Sequence, residues 1–364
     1  MRLVITGGGT GGHLFPGLAV AQAMQRRYPA TEILFIGTER SMDQQVLEGA
    51  DMQREILQCS GLKGVSIAAR VKSVALFSGA VLHALKILRQ CKAELVLGVG
   101  GYVTGPVLVA AKMLGIRTCI HEQNSVPGLA NRLAGKIVDR IFTSIPCEDC
   151  FPADKVLQTG NPVRREIVEA APAGEKDGVT LLVLGGSQGA HRINTLMMEA
   201  AREFGNLKQE LRIIHQAGRR DAKMVQTAYD ACMIASEVHA FITNMAQKYS
   251  QADFVVSRAG ATTLAELAVR GLPALLIPYP YAADDHQQKN AEYFARQGGG
   301  LVFSEKELTG MKLAAIIKEY AASPQQLEPM AENMRRTGLP DAAEVIVEQC
   351  MELVYGNKVL NNRV

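Results

Sequence analysis

Ser257-Arg-Ala-Gly-Ala-Thr-Thr-Leu-Ala-Glu266 continues the short apolar run Ala252-Asp-Phe-Val-Val-Ser257. The run reads as a buried parallel strand, and Leu264, Leu267 and Ala268 then set a helical period. Arg258 to Gly260 is therefore a tight strand-to-helix turn, with Ala261, Thr262 and Thr263 in the first helical turn. Unpaired backbone N–H groups and the helix dipole favour an anionic or hydroxyl-rich ligand there. Leu264 and Ala265 continue that turn, and Glu266 can offer both carboxylate oxygens to vicinal hydroxyls such as a ribose diol. By itself the stretch equally describes an N-capped helix with a solvated glutamate. Other stretches supply the remaining parts of one nucleotide-sugar site.

Working outward, the same unit recurs. Leu3-Val-Ile-Thr6 is a strand that runs into Gly7-Gly-Gly-Thr-Gly-Gly-His13, with a helix expected from about Pro16 to Arg27. Ile33-Leu-Phe-Ile-Gly37, Glu94-Leu-Val-Leu-Gly-Val99 and Arg117 to Ile120 are further strands, and residues 68–90 and 104–114 are helices. The pattern restarts at Val179-Thr-Leu-Leu-Val-Leu184, which leads into Gly185-Gly-Ser-Gln-Gly-Ala-His191 and a helix. Strands near 211–215, 237–241, 252–256 and 274–277 follow. Alternation of this kind gives parallel sheets with helices on both faces. The predicted fold is α/β, with two doubly wound, Rossmann-like domains facing across a cleft. The turn Thr159-Gly-Asn-Pro-Val-Arg164 and the polar stretch Ala170 to Asp177 separate them. The domains are expected at 1–160 and 161–340, with 341–364 a closing helix that braces the first domain and frays from Asn357 to Val364.

With 364 residues, the chain can bury two proper cores. Its net charge of +3 and the lack of a Lys/Arg run make no case for nucleic acid. Cys147-x-x-Cys150 has no second such pair, so a zinc site is not expected, and reduced thiols in a cytosol fit the scattered cysteines. Arg2-Leu-Val-Ile-Thr6 runs straight into glycines, without a signal-peptide layout. No apolar stretch is long enough to span a membrane.

Ligands of open α/β sheets bind beyond the carboxyl ends of the strands, where the polar and glycine-rich segments of this chain all fall. Two such sheets, each holding one substrate, suit a two-substrate transferase. Gly7-x-Gly9-x-x-Gly12 matches the dinucleotide fingerprint, but the acidic residue expected about 20 residues later is missing, which argues against a nicotinamide cofactor. The loop instead lets a diphosphate approach the backbone, and no cofactor is expected. Gly185-Gly-Ser-Gln-Gly189 is a second phosphate loop, with Ser187 as a hydroxyl donor and a helix N-terminus behind it. Arg164 can neutralise a leaving diphosphate or form a surface ion pair. Asp284-Asp-His286 is expected to be an N-capped helix start and not a metal site, because consecutive residues do not share a helix face. The amides of Gln287 and Gln288 suit the hydroxyls of an uncharged sugar. His13 and His121-Glu122 are the titratable groups best placed to face the cleft from the first domain.

Taken together, Gly8-Gly-Thr-Gly-Gly-His-Leu-Phe-Pro-Gly17, Leu97-Gly-Val-Gly-Gly-Tyr-Val-Thr-Gly-Pro106, His121-Glu-Gln-Asn124, Gly160-Asn-Pro-Val-Arg164, Gly185-Gly-Ser-Gln-Gly189, Ser257-Arg-Ala-Gly-Ala261 and Asp285-His-Gln-Gln288 resemble the MurG family of glycosyltransferases. The motifs occur in the family's order over nearly the whole chain. The resemblance implies a GT-B architecture and an inverting, metal-independent transfer of N-acetylglucosamine from UDP-N-acetylglucosamine to lipid I. It also implies a peripheral site on the cytoplasmic face of the cell membrane, among other cell-wall synthesis proteins serving cell shape and division. By position, it gives Ile242 backbone groups to the uracil and Glu266 to the ribose. Ser187 and Arg164 go to the diphosphate. Arg258, within the same motif, joins the binding set. Ala261, Thr262, Thr263, Leu264 and Ala265 go with Gln287 and Gln288 to the donor, chiefly its sugar. Thr10, Gly11, Gly12, His13 and Asn124 would line the meeting point of sugar and acceptor, with Tyr102 and Glu122 nearby. One departure is Asp285-His286, where the family carries Asp-Arg.

In that reaction the C4 hydroxyl of the lipid-linked N-acetylmuramic acid attacks the anomeric carbon while UDP leaves. His13 is the first candidate base and Glu122 the second. A UDP-N-acetylglucosamine 2-epimerase and a non-catalytic nucleotide-sugar-binding protein are the competing readings. Ala68 to Arg89 interleaves Val71, Val74, Leu76, Phe77 and Val81 with Arg70 and Lys72, which suits either an anionic membrane surface or a core helix with a basic edge.

Overall fold

A computed structural model describes residues 1–8, 11–39, 52–58, 67–147, 149–172, 174, 178–186 and 188–356, with only the backbone of 67–74 and 208–209. The chain forms two compact units, Met1–Arg164 with Pro340–Val364, and Arg165–Leu339. The first crossing point lies four residues beyond Gly160.

In unit 1, β1 (Arg2–Gly7), α1 (Gly11–Arg27), β2 (Glu32–Gly37), β3 (Gln53–Ile56), α2 (Ile67–Gln90), β4 (Leu95–Gly100), α3 (Thr104–Met113), β5 (Arg117–Glu122), α4 (Leu129–Ala134), β6 (Arg140–Thr143) and β7 (Val156–Gln158) follow one another. The strands make a parallel sheet in the order β3-β2-β1-β4-β5-β6-β7. Strand order reverses between β1 and β4, so their carboxyl ends open the crevice where a doubly wound sheet binds its ligand. β1 and β4 are buried on both faces, as near-continuous Val/Leu/Ile runs require.

Unit 2 contains α5 (Arg165–Val168), β8 (Val179–Leu184), α6 (His191–Glu203), β9 (Leu211–Gln216), α7 (Ala222–Ala231), β10 (Ala235–His239), α8 (Met245–Gln251), β11 (Phe254–Ser257), α9 (Ala261–Arg270), β12 (Ala274–Leu276), α10 (His286–Arg296), β13 (Gly300–Val302), α11 (Gly310–Ala322) and α12 (Leu327–Thr337). Its parallel sheet runs β10-β9-β8-β11-β12-β13, with the reversal between β8 and β11. Helix α9 ends at Gly271, whose φ of 62° is the left-handed cap that glycine adopts without strain.

Helix α13 (Ala342–Tyr355) belongs to unit 1. It buries Ile346, Val347, Cys350 and Met351 in the core shared with α1 and pairs Glu344 with Arg26 and Glu348 with Arg27. The expected fraying of 357–364 falls outside the described residues.

Two local expectations are corrected. Helix α1 begins at Gly11 and not at about Pro16, so His13 lies in its first turn. Pro16 is the sixth residue of α1, where its ring nitrogen has no N–H to bond back into the first turn. Cys147 and Cys150 form a disulfide, against the expectation of reduced thiols, while Cys91, Cys119, Cys232 and Cys350 are free.

Candidate functional site

The switch point of unit 1 is built by close backbone approach. A Cβ on Gly7 would lie 2.4 Å from Val99 Cγ2, and one on Gly101 would lie 2.6 Å from the Gly8 carbonyl oxygen. Gly101 also has a φ of 91°, so the ends of β1 and β4 meet only because both carry glycine. A Cβ on Gly100 would strike the His13 ring at 2.7 Å, which places the imidazole against the β4 end. Gly11 is half-buried and Gly12 exposed in the same turn, and Tyr102 is exposed just past β4. Thr10 lies outside the described residues.

Gln123, buried after β5, ties this end together. Its Oε1 is 3.2 Å from His13 Nδ1. Its Nε2 donates to the Val99 carbonyl at 2.9 Å, approaches the His121 carbonyl at 3.3 Å, and lies 3.1 Å from His121 Nδ1. His121 Nε2 in turn meets the Gly160 carbonyl at 3.0 Å. Burial pushes the His121 imidazole down to about 4, against the bond to Gly160 that favours its charge, with nearby His13 lowering it further. His121 is thus a neutral, internal group.

Glu122 is buried, and each of its oxygens is engaged twice. Oε1 accepts from the backbone and side-chain nitrogens of Asn124, and Oε2 accepts from Gly128 N and Asn131 Nδ2. That arrangement shapes the loop after β5 and holds Asn124 in it. Arg164 places its guanidinium over the Phe15 ring at 4.7 Å. Both polar side-chain atoms of Asn161 are buried without a hydrogen-bond partner.

In unit 2, Gly260 precedes α9 in extended conformation and makes no side-chain cap, so Ala261, Thr262 and Thr263 open the helix with its positive dipole end at the close of β11. Thr262, Thr263 and Ala265 are half-buried, whereas Leu264 is fully buried in the core and can contribute only its backbone. Glu266 is buried, with Oε2 accepting the Tyr249 hydroxyl at 2.7 Å. A carboxylate carries about four lone-pair sites, so this bond fixes the side chain without exhausting it.

Beside α9, the loop Gly185–Gly189 packs on the segment after β9. A Cβ on Gly189 would lie 2.1 Å from the Ala217 carbonyl oxygen. Ser187 lies outside the described residues. Gln216 Nε2 donates to the Gly186 carbonyl at 2.8 Å, and its Oε1 accepts the Ile242 N–H at 2.8 Å. Of the two Ile242 backbone groups, the N–H is therefore engaged within the protein.

The Arg258 guanidinium donates to the carbonyls of Ile277 and Pro278, pairs with Glu305 and stacks on Tyr279. It ties the end of β11 to the end of β12. Gln287 Oε1 accepts the Tyr279 N–H at 2.9 Å, and Gln288 Nε2 donates to Glu292 at 2.9 Å. The expected N-cap before Gln287 is corrected. Asp284 and Asp285 are left-handed, with φ of 52° and 55°, and Asp285 makes no side-chain cap, while His286 Nδ1 meets the Ala283 carbonyl.

Sequence reading missed Gln123, Gln216, Tyr249 and Asn161. The first lies inside a motif already singled out, and its polarity within a buried strand end was the available signal.

Residues 3–143 match the glycosyltransferase family 28 N-terminal domain, and residues 180–346 match the family's C-terminal domain. A protein of Desulfotalea psychrophila named UDP-N-acetylglucosamine–N-acetylmuramyl-(pentapeptide) pyrophosphoryl-undecaprenol N-acetylglucosamine transferase is 50% identical over 97% of each chain. The crystal structure of MurG from Acinetobacter baumannii superposes with a TM-score of 0.77 at 30% identity, covering 96% of this chain and 99% of that one. The UDP-N-acetylglucosamine 2-epimerase of Neisseria meningitidis, solved with UDP-N-acetylglucosamine bound, gives a TM-score of 0.66 at 14% identity over 97% and 100% of the two chains. At that identity the likeness is one of fold.

Proposed function

Since the chain belongs to glycosyltransferase family 28, we propose that it carries out the transfer for which its near relatives are named. It is a glycosyltransferase of GT-B architecture, moving N-acetylglucosamine from UDP-N-acetylglucosamine to the lipid-linked N-acetylmuramyl-pentapeptide that becomes lipid II in peptidoglycan synthesis. The observation that carries this reading is the 50% identity over 97% of the chain. The epimerases share only the fold at 14% identity. A pure binding protein gives no use to the glycine-built end of β1 and β4.

The donor role falls to unit 2. The α9 N-terminus and the Gly185–Gly189 loop offer backbone N–H groups to the diphosphate and sugar. The Ile242 carbonyl serves the uracil, since its N–H is engaged by Gln216. Gln287 and Gln288 contribute the capacity their internal bonds leave. In unit 1, His13 takes the proton of the attacking hydroxyl as the new bond forms at the anomeric carbon and the diphosphate oxygen departs with its electron pair. Arg164 offsets the leaving charge. Glu122 serves as a loop-holding carboxylate, with four donors already on its oxygens.

Labelled UDP-N-acetylglucosamine incubated with and without a lipid I analogue separates the readings. Label passing to the lipid only when acceptor is present is the expected result, and epimerised nucleotide sugar without acceptor would replace this reading with the rival one. In the same assay Glu266→Ala is expected to raise the donor KM roughly tenfold or more, because hydrogen bonds to a charged group contribute about 1.5–3 kcal/mol. An unchanged donor KM in a folded variant would remove the ribose from Glu266.

The acceptor is a lipid, and no helix among the described residues is long and apolar enough to cross a membrane. Unit 1 supplies a surface suited to the headgroup boundary. Helix α2 packs on α3, and α3 on α4. Phe77 and Val81, expected on the membrane face, pack into or against the core, while the side chains of Arg70, Val71, Lys72 and Val74 lie outside the described residues. Leu76 and Leu82 on α2, Met113 on α3, and Leu129 and Leu133 on α4 are exposed, beside exposed Arg132 and Lys136. Exposed apolar groups interleaved with cations suit an anionic bilayer surface, on the cytoplasmic face where the nucleotide sugar is found. The triple variant Leu82→Ser, Leu133→Ser, Arg132→Glu should lose co-sedimentation with phosphatidylglycerol vesicles while keeping its circular dichroism spectrum. Wild-type binding by that variant would move the contact elsewhere.

A further inference from the structure

We propose that Gln123 is a positioning residue that fixes the tautomer of His13, holding the proton on Nδ1 and presenting Nε2 as the lone pair that meets the substrate hydroxyl. This inference rests on the reading of His13 as the base and adds what makes it one.

Donor and acceptor accounting along the buried chain leaves one consistent assignment. The Gly160 carbonyl can only accept, so the facing His121 Nε2 must carry hydrogen. His121 is neutral, since burial holds its imidazole at about 4, and a neutral ring with hydrogen on Nε2 has an acceptor at Nδ1. Gln123 Nε2 then faces that acceptor and the carbonyls of His121 and Val99, all within 3.3 Å. Reversing the amide would set its carbonyl oxygen against all three, so the orientation is determined. Gln123 Oε1 therefore points to His13, where an acceptor demands a donor, and His13 Nδ1 supplies it at 3.2 Å. A neutral imidazole with hydrogen on Nδ1 has its free lone pair on Nε2. The partner of one ring nitrogen thus selects the other as the base.

The rest of the site supports the same division of labour. Gln123 is 2% exposed and His121 is 1% exposed, so both are screened from substrate, whereas His13 is half-buried on the first turn of α1. The Gly100 Cα stands where a side chain would displace the His13 ring, so the ring is held laterally as well as through Nδ1. A rigidly placed acceptor behind the imidazole performs the orienting role that a carboxylate plays in a Ser-His-Asp triad, without adding charge.

The decisive measurement needs no variant. In protein carrying 15N-labelled histidine at a pH where His13 is neutral, the His13 ring signals, assigned by their absence in His13→Ala, should show hydrogen on Nδ1. Hydrogen on Nε2 would overturn the proposal even if His13 is essential. Gln123→Met keeps side-chain length but cannot receive the Nδ1 hydrogen. It should shift the His13 signals toward the other tautomer and lower kcat on the order of ten- to a hundredfold, the usual effect of losing an orienting partner, with the donor KM unchanged. Unaltered His13 signals and kcat in Gln123→Met would likewise overturn it. Failure of the base reading is a separate result, seen as retained kcat in His13→Ala.

Discussion

His13→Ala is expected to lower kcat by about 10²–10⁴-fold, the contribution of a positioned general base, while the affinity for UDP-N-acetylglucosamine measured by calorimetry stays close to wild type. At about 1.36 kcal/mol per factor of ten, the loss is about 2.7–5.5 kcal/mol of transition-state stabilisation. The separation of effects follows from the fold. His13 belongs to α1 in unit 1, and the loops assigned to the donor belong to unit 2. Its ring meets Gln123 and lies against Gly100, and alanine removes the hydrogen bond to Gln123. His13→Asn separates polarity from proton transfer, since an amide can occupy the Gln123 contact but cannot act as a base near neutral pH. An asparagine variant with most of the wild-type kcat would reduce His13 to a residue that shapes the turn. Glu122 is poorly placed to inherit the role, because its oxygens already accept from Asn124, Gly128 and Asn131.

The parts of this molecule legible in the sequence are those encoded locally. Each strand that ends in glycines is short, apolar and followed by a helical period, and the two restarts at Leu3 and Val179 gave two doubly wound sheets. What remained hidden depends on contacts between distant residues. Gln123 and His13 are 110 positions apart, and Tyr249 reaches Glu266 from a different helix. Neither pairing leaves a periodic trace. Strand β3, Gln53–Ile56, escaped because it is a polar edge strand with alternating exposure, and only its pairing with β2 defines it. On α2, hydrophobicity alone could not tell Phe77 and Val81, which face the core, from exposed Leu82. The facing is set by packing against α3. The left-handed pair Asp284-Asp285 read as an N-cap because aspartate favours both conformations.

Acidification from pH 6.5 to 4.5 is expected to destabilise each unit by about 2 kcal/mol, through one buried neutral histidine in each. In unit 1, burial holds His121 at about 4. In unit 2, burial holds His215 at about 3, slightly opposed by Asp221, and the ring lies between the Tyr229 hydroxyl at 2.8 Å and Asn194 Oδ1 at 3.0 Å. The unfolded chain protonates these rings near 6.5, so below that pH it binds more protons than the native state and stability falls. The slope approaches 1.4 kcal/mol per pH unit for each ring until the folded value is reached, at about 4 for His121 and about 3 for His215. Carboxylates enter later. Glu237, held at about 2 chiefly by its bond to Lys248, stabilises above its unfolded value of about 4.5 and loses that contribution only as pH falls toward 2. The interval from 6.5 to 4.5 therefore isolates the histidines. Hydrogen exchange of the β1–β4 and β8–β11 segments, read as opening free energy against pH, resolves the units separately. Because burial holds the His215 ring neutral, His215→Gln should flatten the slope in unit 2 alone. Flat opening free energies across the interval in wild-type protein would mean that both rings take up protons in the folded state, and the neutral assignment of His121 would fall with them.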